Sequence, residues 1–418
     1  MQDNEEIDEP ELPEEDDVAV VGDDDENPDL IEDKPVRFDI SSYGWDVDVD
    51  GLVKRMNRQG IYVPGFQRGF VWSKSDKSQF VESLILGLPV PTLFLARDSE
   101  TENRLNIIDG QQRLRTLQSY LNGEFALSGR DISGDLRGLF HSSRRAEFGD
   151  RKAYPKAKIL SPADERTLED AVVHSIVIRP NPRDDDENLG REYNRAIIQI
   201  FKRLNTTGKA LQPQEVRASI FYGTLLDLIQ DLNLDEHWRA LFGPVHGRMK
   251  DQEAITRALA LFVDGEIYTA PMPRFLDNFM ENHRNMDQAH LTGLRDRFLF
   301  AVKLIRSTFG DAALKRGNAF WLTRLDALVV GIMEALRNDN EVSAPEFEAS
   351  FIERLGERTV ECRLNELESD NRGIDESGEE IDGLNTEARG YNWSTAKFTN
   401  DTNRVQARLA AAKAVFAR

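Results

Sequence analysis

The amino-acid sequence predicts an α+β fold: a compact N-terminal unit of short strands and crossing helices, then a mainly helical C-terminal region. Three observations carry this expectation. Thr92 to Ala96, Arg104 to Ile108 and Val172 to Arg179 are short apolar or alternating runs of the kind that form strands. Apolar residues recur at helical spacing around them. From about residue 191 onward the helical period dominates the chain.

Taken in order, residues 46–59 read as a short helix with Leu52, Val53 and Met56 on one face. Residues 74–87 form an amphipathic helix through Phe80, Leu84, Ile85 and Leu88, and Pro89 and Pro91 bracket its exit. Two strands follow, at 92–96 and 104–108, and then a helix over 112–122 with Leu114, Leu117 and Leu121 apolar. Residues 128–170 are polar, Arg-rich and weakly periodic, which fits a β-excursion or a loop. Further helices are expected at 191–204, 213–231, 251–263, 274–283, 290–307, 318–336, 345–357 and 401–417. The resulting division is an acidic tail (1–36), an α+β domain (37–190), a helical domain (191–365) and a linker with a final helix (366–418).

The formal net charge of −21 is concentrated at one end. Residues 1–33 hold 17 acids and no Lys or Arg, which leaves about −4 on the rest. Such a segment is expected to be disordered. It reads either as a solubilising tail or as an acidic arm that competes with DNA for a basic groove. Cys362 is the single cysteine, so neither an internal disulfide nor a thiolate zinc site is available. There is no signal-peptide pattern and no run of 18 apolar residues, so a cytoplasmic location without membrane contact is expected.

The most informative stretch is Ile107-Ile108-Asp109-Gly110-Gln111-Gln112-Arg113. A strand ends, Asp109-Gly110 turns, and a helix opens. Backbone N–H groups at a helix N-terminus suit an anion, and Arg113 adds a bidentate phosphate donor. The corner therefore reads as a phosphate site. Asp109 is open to three roles: orienting water, holding a metal ion, or capping the helix. Upstream, Pro64-Gly65-Phe66-Gln67-Arg68 marks a loop that presents Gln67 and Arg68 beside aromatic residues, for nucleotide contact or for loop hydrogen bonds. Phe66 would pack against a base or a wall. Downstream, Phe201 to Leu211 contains Asn205, Thr207, Gly208 and Lys209. This is not a Walker loop, because position 203 is Arg and Lys209 is followed by Ala210. The six histidines form no metal-binding or catalytic spacing. Asp264, Glu266, Asp277 and Glu281 read as a solvated helix face rather than a divalent-ion site. Basic residues at 130–153 and 202–217 fit a phosphate-tracking patch or a salt-bridged surface.

These three motifs, in this order, resemble the N-terminal domain of GmrSD-type restriction enzymes. That family has a ParB/sulfiredoxin-like fold and is marked by P-x-[FY]-Q-R, D-G-Q-Q-R and F-x-R-[LI]-N-x-x-G elements. The resemblance covers roughly residues 38–260, with Arg248 to Arg257 similar to the family's downstream helical segment. Phe66 stands where many relatives have Tyr. No H-x-x-P-type HNH nuclease core follows residue 260. The resemblance implies a domain that binds and hydrolyses a nucleoside triphosphate (ATP or GTP, with Mg2+) and couples this to sensing modified or foreign DNA in antiviral defence. Phe66, Gln67, Arg68, Asp109, Gly110, Gln111, Gln112, Arg113, Asn205 and Thr207 would line the nucleotide pocket. Asp109, Arg113 and Gln67 would carry the chemistry. DNA, a separate nuclease or effector chain and a homodimer partner are the expected associations. The alternatives are a DNA nickase in its own right and a non-catalytic DNA- or nucleotide-binding module.

Overall fold

The computed structural model describes residues 18–21, 38–62, 72–98, 104–144, 158–181, 189–204, 212–337, 360–372, 374, 389–396 and 399–416. The chain divides into two compact units. One spans Pro35–Ile220, and the other combines Phe221–Arg418 with Met1–Lys34. The fold class is α+β, with the described strands concentrated in the first unit and the second mainly helical.

The strands in chain order are β1 (Val20–Val21), β2 (Ile40–Gly44), β3 (Val47–Asp48), β4 (Ile61–Tyr62), β5 (Leu93–Arg97), β6 (Leu105–Asp109), β7 (Leu139–Phe140), β8 (Lys158–Ile159), β9 (Val172–Val173), β10 (Ser175–Pro180), β11 (Lys315–Arg316) and β12 (Ala319–Trp321). In the first unit a five-stranded mixed sheet has the order β2-β10-β5-β6-β4. β10 runs parallel to β5, and β5 is antiparallel to β6. Two small pairs, β3 with β9 and β7 with β8, flank the sheet.

The first face of this sheet is closed by three helices: α1 (Val49–Asn57), α2 (Lys74–Ile85) and α3 (Gln111–Leu121). Their starts follow from local chemistry. The Asp48 carboxylate accepts from the Gly51 N–H, and Ser73 with Asp76 forms a reciprocal capping box on α2. Leu52, Val81, Leu93, Leu95, Ile107, Leu114 and Val177 meet in the core beneath them. A fourth helix, α4 (Pro162–Glu169), is capped by Ser161 and adds Leu168 to that core. Its weak periodicity lay inside the polar stretch 128–170, where the sequence predicts no helix.

The second face is covered by α5 (Leu189–Leu204) and α6 (Pro213–Ile220). The Tyr193 hydroxyl lies 2.9 Å from the carbonyls of both Arg97 and Ile178, tying α5 to β5 and β10. Burial pushes this phenol above its ordinary pKa. The strongly amphipathic 189–204 helix is thus a layer of the α+β unit, and the division between units falls after residue 220 rather than after 190.

The second unit holds α7 (Thr224–Asn233), α8 (Glu236–Phe242), α9 (Lys250–Asp264), α10 (Met272–Asn282), α11 (Gln288–Phe309), α12 (Leu322–Ala335), α13 (Val360–Glu368), α14 (Tyr391–Ala396) and α15 (Thr402–Phe416). The expected helix 213–231 is two helices broken at Gly223. A Cβ there would sit 2.4 Å from the Arg284 carbonyl oxygen, so only glycine allows that approach. Trp238 anchors an aromatic cluster with Phe242, Phe298 and Phe320. A residue expected in the linker, Asp370, pairs with Arg372 and accepts from the Tyr391 N–H. The helix expected at 345–357 lies outside the described residues.

The acidic N-terminal segment is not wholly without structure. Val20 and Val21 pair in parallel with Phe320 and Trp321 of β12, and the Phe320 N–H donates to the Ala19 carbonyl at 2.7 Å. This overturns the expectation of disorder for these residues. The apolar run Val18 to Val21, set between acidic stretches, is too short a pattern to announce a strand. Deleting residues 1–33 removes β1 and is expected to lower the melting temperature of the protein by about 2–4 °C, the shift that about 1 kcal/mol produces in a unit of this size. A melting curve of the deletion variant that overlays the wild type would contradict this.

Candidate functional site

β6 ends at Asp109 and α3 begins at Gln111, with Gly110 between them at φ 100°. The side chains of this corner are held by short-range and cross-strand bonds. Arg113 Nη2 donates to Asp109 Oδ2 at 2.6 Å. Arg113 Nη1 donates to the carbonyl of Thr92 at 3.1 Å and also to that of Pro91. The Arg113 side chain is only 10% exposed, while that of Asp109 is 38% exposed. Arg113, expected from the sequence to face a phosphate, here clamps the start of β5 to the corner and fixes one oxygen of Asp109. The other oxygen has no hydrogen bond among the described residues.

Gly110 supplies no side-chain cap, unlike Asp48, Ser73 and Ser161 at the starts of α1, α2 and α4. The first intrahelical bond runs from the Leu114 N–H to the Gly110 carbonyl, so the N–H groups of Gln111, Gln112 and Arg113 precede it. Gln111 Nε2 and Gln112 Oε1 are shielded from solvent and have no hydrogen-bond partner among the described residues. Orphaned buried amide atoms are costly, and a ligand or ordered water would relieve the cost. Gly110 itself is required on two counts. Its φ is unfavourable for L-residues, and a Cβ would fall 2.2 Å from Leu93 Cδ2 and 3.2 Å from the Arg113 guanidinium. Gly110→Ala is expected to cost about 2–3 kcal/mol through strain and overpacking, read as a lowered midpoint in urea unfolding.

A β-bulge sets the direction of Asp109. Leu95 pairs with Ile107, but Phe94 pairs with Asp109, so the register shifts by one residue at Ile108. Asp109 therefore comes opposite Phe94, on the face covered by α5 and α6. Phe94 lines a pocket of about 300 Å³ on that face.

Phe66, Gln67, Arg68, Asn205 and Thr207 lie outside the described residues. Of the expected basic patch, Arg137 is exposed and donates to the carbonyls of Arg130 and Ile132, while Arg145, Arg151 and Lys152 lie outside the described residues. Arg115, on α3, is half-buried, and burial lowers its pKa against the opposing effect of the nearby Tyr62 phenol.

The structure also assembles a cluster that sequence spacing hides. His141, Glu165 and Glu169 bring potential metal-ligand atoms within 4.8 Å of one another. His141 Nε2 lies 3.3 Å from a carboxylate oxygen of each Glu. The Ser143 N–H donates to His141 Nδ1 at 3.2 Å, which leaves the ring hydrogen on Nε2, facing the carboxylates. In this tautomer the imidazole is a donor joining β7 to α4, not a ligand. Only Glu165 and Glu169, one helical turn apart, carry a local signal of this node. Asp264, Glu266, Asp277 and Glu281 form no such cluster among the described residues, and Asp264 pairs with His283 at 3.1 Å.

A sheet flanked by helices thus carries a helix start without a side-chain cap behind a bulged strand. Residues 49–222 match the family described as GmrSD restriction endonuclease, N-terminal domain. The matched stretch runs from the first residue of α1 to just beyond α6 and includes all three sequence motifs. This segment of the chain is a GmrSD-type N-terminal domain. The segment Arg248 to Arg257, which resembles the family's downstream helices, lies beyond the matched residues. No curated protein matches the chain. No helix among the described residues is long and apolar enough to cross a membrane.

Proposed function

We propose that the 49–222 domain binds and hydrolyses a nucleoside triphosphate, and that it serves as the sensor of an antiviral restriction system that acts on DNA with a separate effector chain. The observation that carries this reading is the unsatisfied corner at Gly110: an uncapped helix start flanked by two amide atoms without partners. A phosphate group answers the helix start and the Gln111 amide nitrogen, because its oxygens accept from backbone N–H and amide donors. A bound water or ribose hydroxyl can donate to the Gln112 oxygen. The restriction context and the DNA partner come from the family.

In this reading Asp109 orients the attacking water through its unbonded oxygen. Arg113 acts on Asp109 by holding its other oxygen and on the corner by gripping β5. Phosphoryl transfer depends mainly on positioning and on charge neutralisation, which suits a site of preset donors. A half-exposed carboxylate beside phosphate oxygens fits Mg2+, which favours one or two carboxylates and retains several waters. When bound, Mg2+ would offset charge on the phosphates.

Calorimetric titration of ATP, GTP, CTP and UTP with Mg2+ tests the binding half of this reading. Saturable binding of at least one nucleotide is expected. Absence of binding by all four, with and without DNA, would sink it.

A further inference from the structure

The two faces of the five-stranded sheet are covered unequally. On the first, Leu93, Leu95 and Val177 are fully buried beneath α1 to α3. On the second, Phe94 and Ile176 remain partly open although α5 lies across the same strands. Between them is an apolar slot of about 300 Å³. Phe94, Ile176 and Ile178 form its floor, Ile200 and Leu204 of α5 form one wall, and Ser42 of β2, the cross-strand partner of Ile178, lies at its rim.

We propose that this slot receives the base of the nucleotide, with Phe94 as the surface against which the base packs. The inference rests on the phosphate reading of the Gly110 corner. Its own ground is the bulge at Ile108, which makes Phe94 the direct cross-strand partner of Asp109. Residues directly opposite in an antiparallel pair have side chains within contact range on one face. A ligand with phosphates at Asp109 and Gly110 therefore has the slot as its immediate neighbour across one strand. The slot's chemistry suits a base: apolar walls, one aromatic ring and a serine at the edge. Its volume is at the lower end of small-molecule pockets, enough for a base but not for a whole triphosphate. The phosphates are thereby left to the corner.

The test compares Mg2+-ATP, Mg2+-GTP and inorganic tripolyphosphate as ligands of the full-length wild type and of Phe94→Leu, by calorimetry. Leucine keeps apolar bulk in the sheet and removes the ring, and a melting curve confirms that the variant folds. Nucleotide affinity is expected to fall about tenfold, the size of one base–aromatic contact, while tripolyphosphate affinity is unchanged. A second variant, Ile200→Phe, fills the slot from α5 and is expected to weaken nucleotides in the same selective way. Unchanged nucleotide affinity in both variants overturns the slot. An equal fall for nucleotide and tripolyphosphate also overturns it, because the effect would then have travelled through Asp109. If the wild type binds tripolyphosphate but no nucleotide, the slot fails and the phosphate site survives. If it binds neither, the phosphate reading fails and takes the slot with it.

Discussion

Asp326→Ala is expected to destabilise the helical unit by about 3–5 kcal/mol and to lower its melting temperature by about 10 °C. Asp326 of α12 is fully buried and joins two other helices. Its Oδ1 accepts from Arg257 Nε and its Oδ2 from Arg257 Nη2, both at 2.7 Å, and Oδ2 also accepts from Arg408 Nη2 at 2.8 Å. Arg257 lies on α9 and Arg408 on α15, and both are buried. Removing the carboxylate leaves two guanidinium groups facing each other out of reach of water, which is why the expected cost is far above that of a surface pair. Burial opposes the ionised carboxylate, but the two arginines outweigh it and hold Asp326 below the usual carboxylate range. The sign of the pH dependence follows. A depressed carboxylate contributes stability above its unfolded pKa of about 3.9, and that contribution is lost as pH falls through the lower folded value. The difference between wild type and Asp326→Ala in urea midpoint should therefore be full at neutral pH and shrink in acid below about pH 4. A difference that stays constant into acid would show that the arginines do not act through the charge of Asp326.

Asp109→Asn is expected to reduce the turnover of nucleoside triphosphate about 100-fold, within the range that a positioned acid or base contributes. Asparagine keeps the shape and still accepts from Arg113 Nη2, so the corner should stay assembled and the melting temperature should change little. The fall should therefore appear in kcat, with KM close to that of the wild type. Arg113→Ala is a less selective probe. It also releases the Pro91 and Thr92 carbonyls, so lower activity and lower stability are expected together. If Asp109→Asn loses stability and substrate affinity in parallel while kcat holds, Asp109 is only a tether for Arg113.

The strand–turn–helix course of residues 105–121 is legible in the sequence because its signals are local: two β-branched residues, Asp-Gly, then an amphipathic run. What the sequence does not show depends on distant partners. Arg113 reads as a phosphate ligand, and nothing local announces that the carbonyls of Pro91 and Thr92, some twenty positions away, accept from its Nη1. The break at Gly223 answers to a carbonyl on Arg284. The bulge that turns Asp109 toward Phe94 is a matter of pairing register, which no single strand encodes. His141 meets Glu165 and Glu169 through a fold excursion whose sequence is too polar to show a period. β1 escapes notice because two residues cannot display an alternation. The pocket on the α5 face is invisible for a different reason: Ile200 and Leu204 carry the same helical spacing whether the face they cover is filled or left partly open.

The most direct test of the central claim is phosphate release from ATP, GTP, CTP and UTP with Mg2+, with and without DNA, by the wild type and by Asp109→Asn and Arg113→Ala. The account predicts turnover by the wild type of at least one nucleotide, lost in both variants. Release that persists unchanged in both variants, or no release by the wild type under any of these conditions, would contradict it.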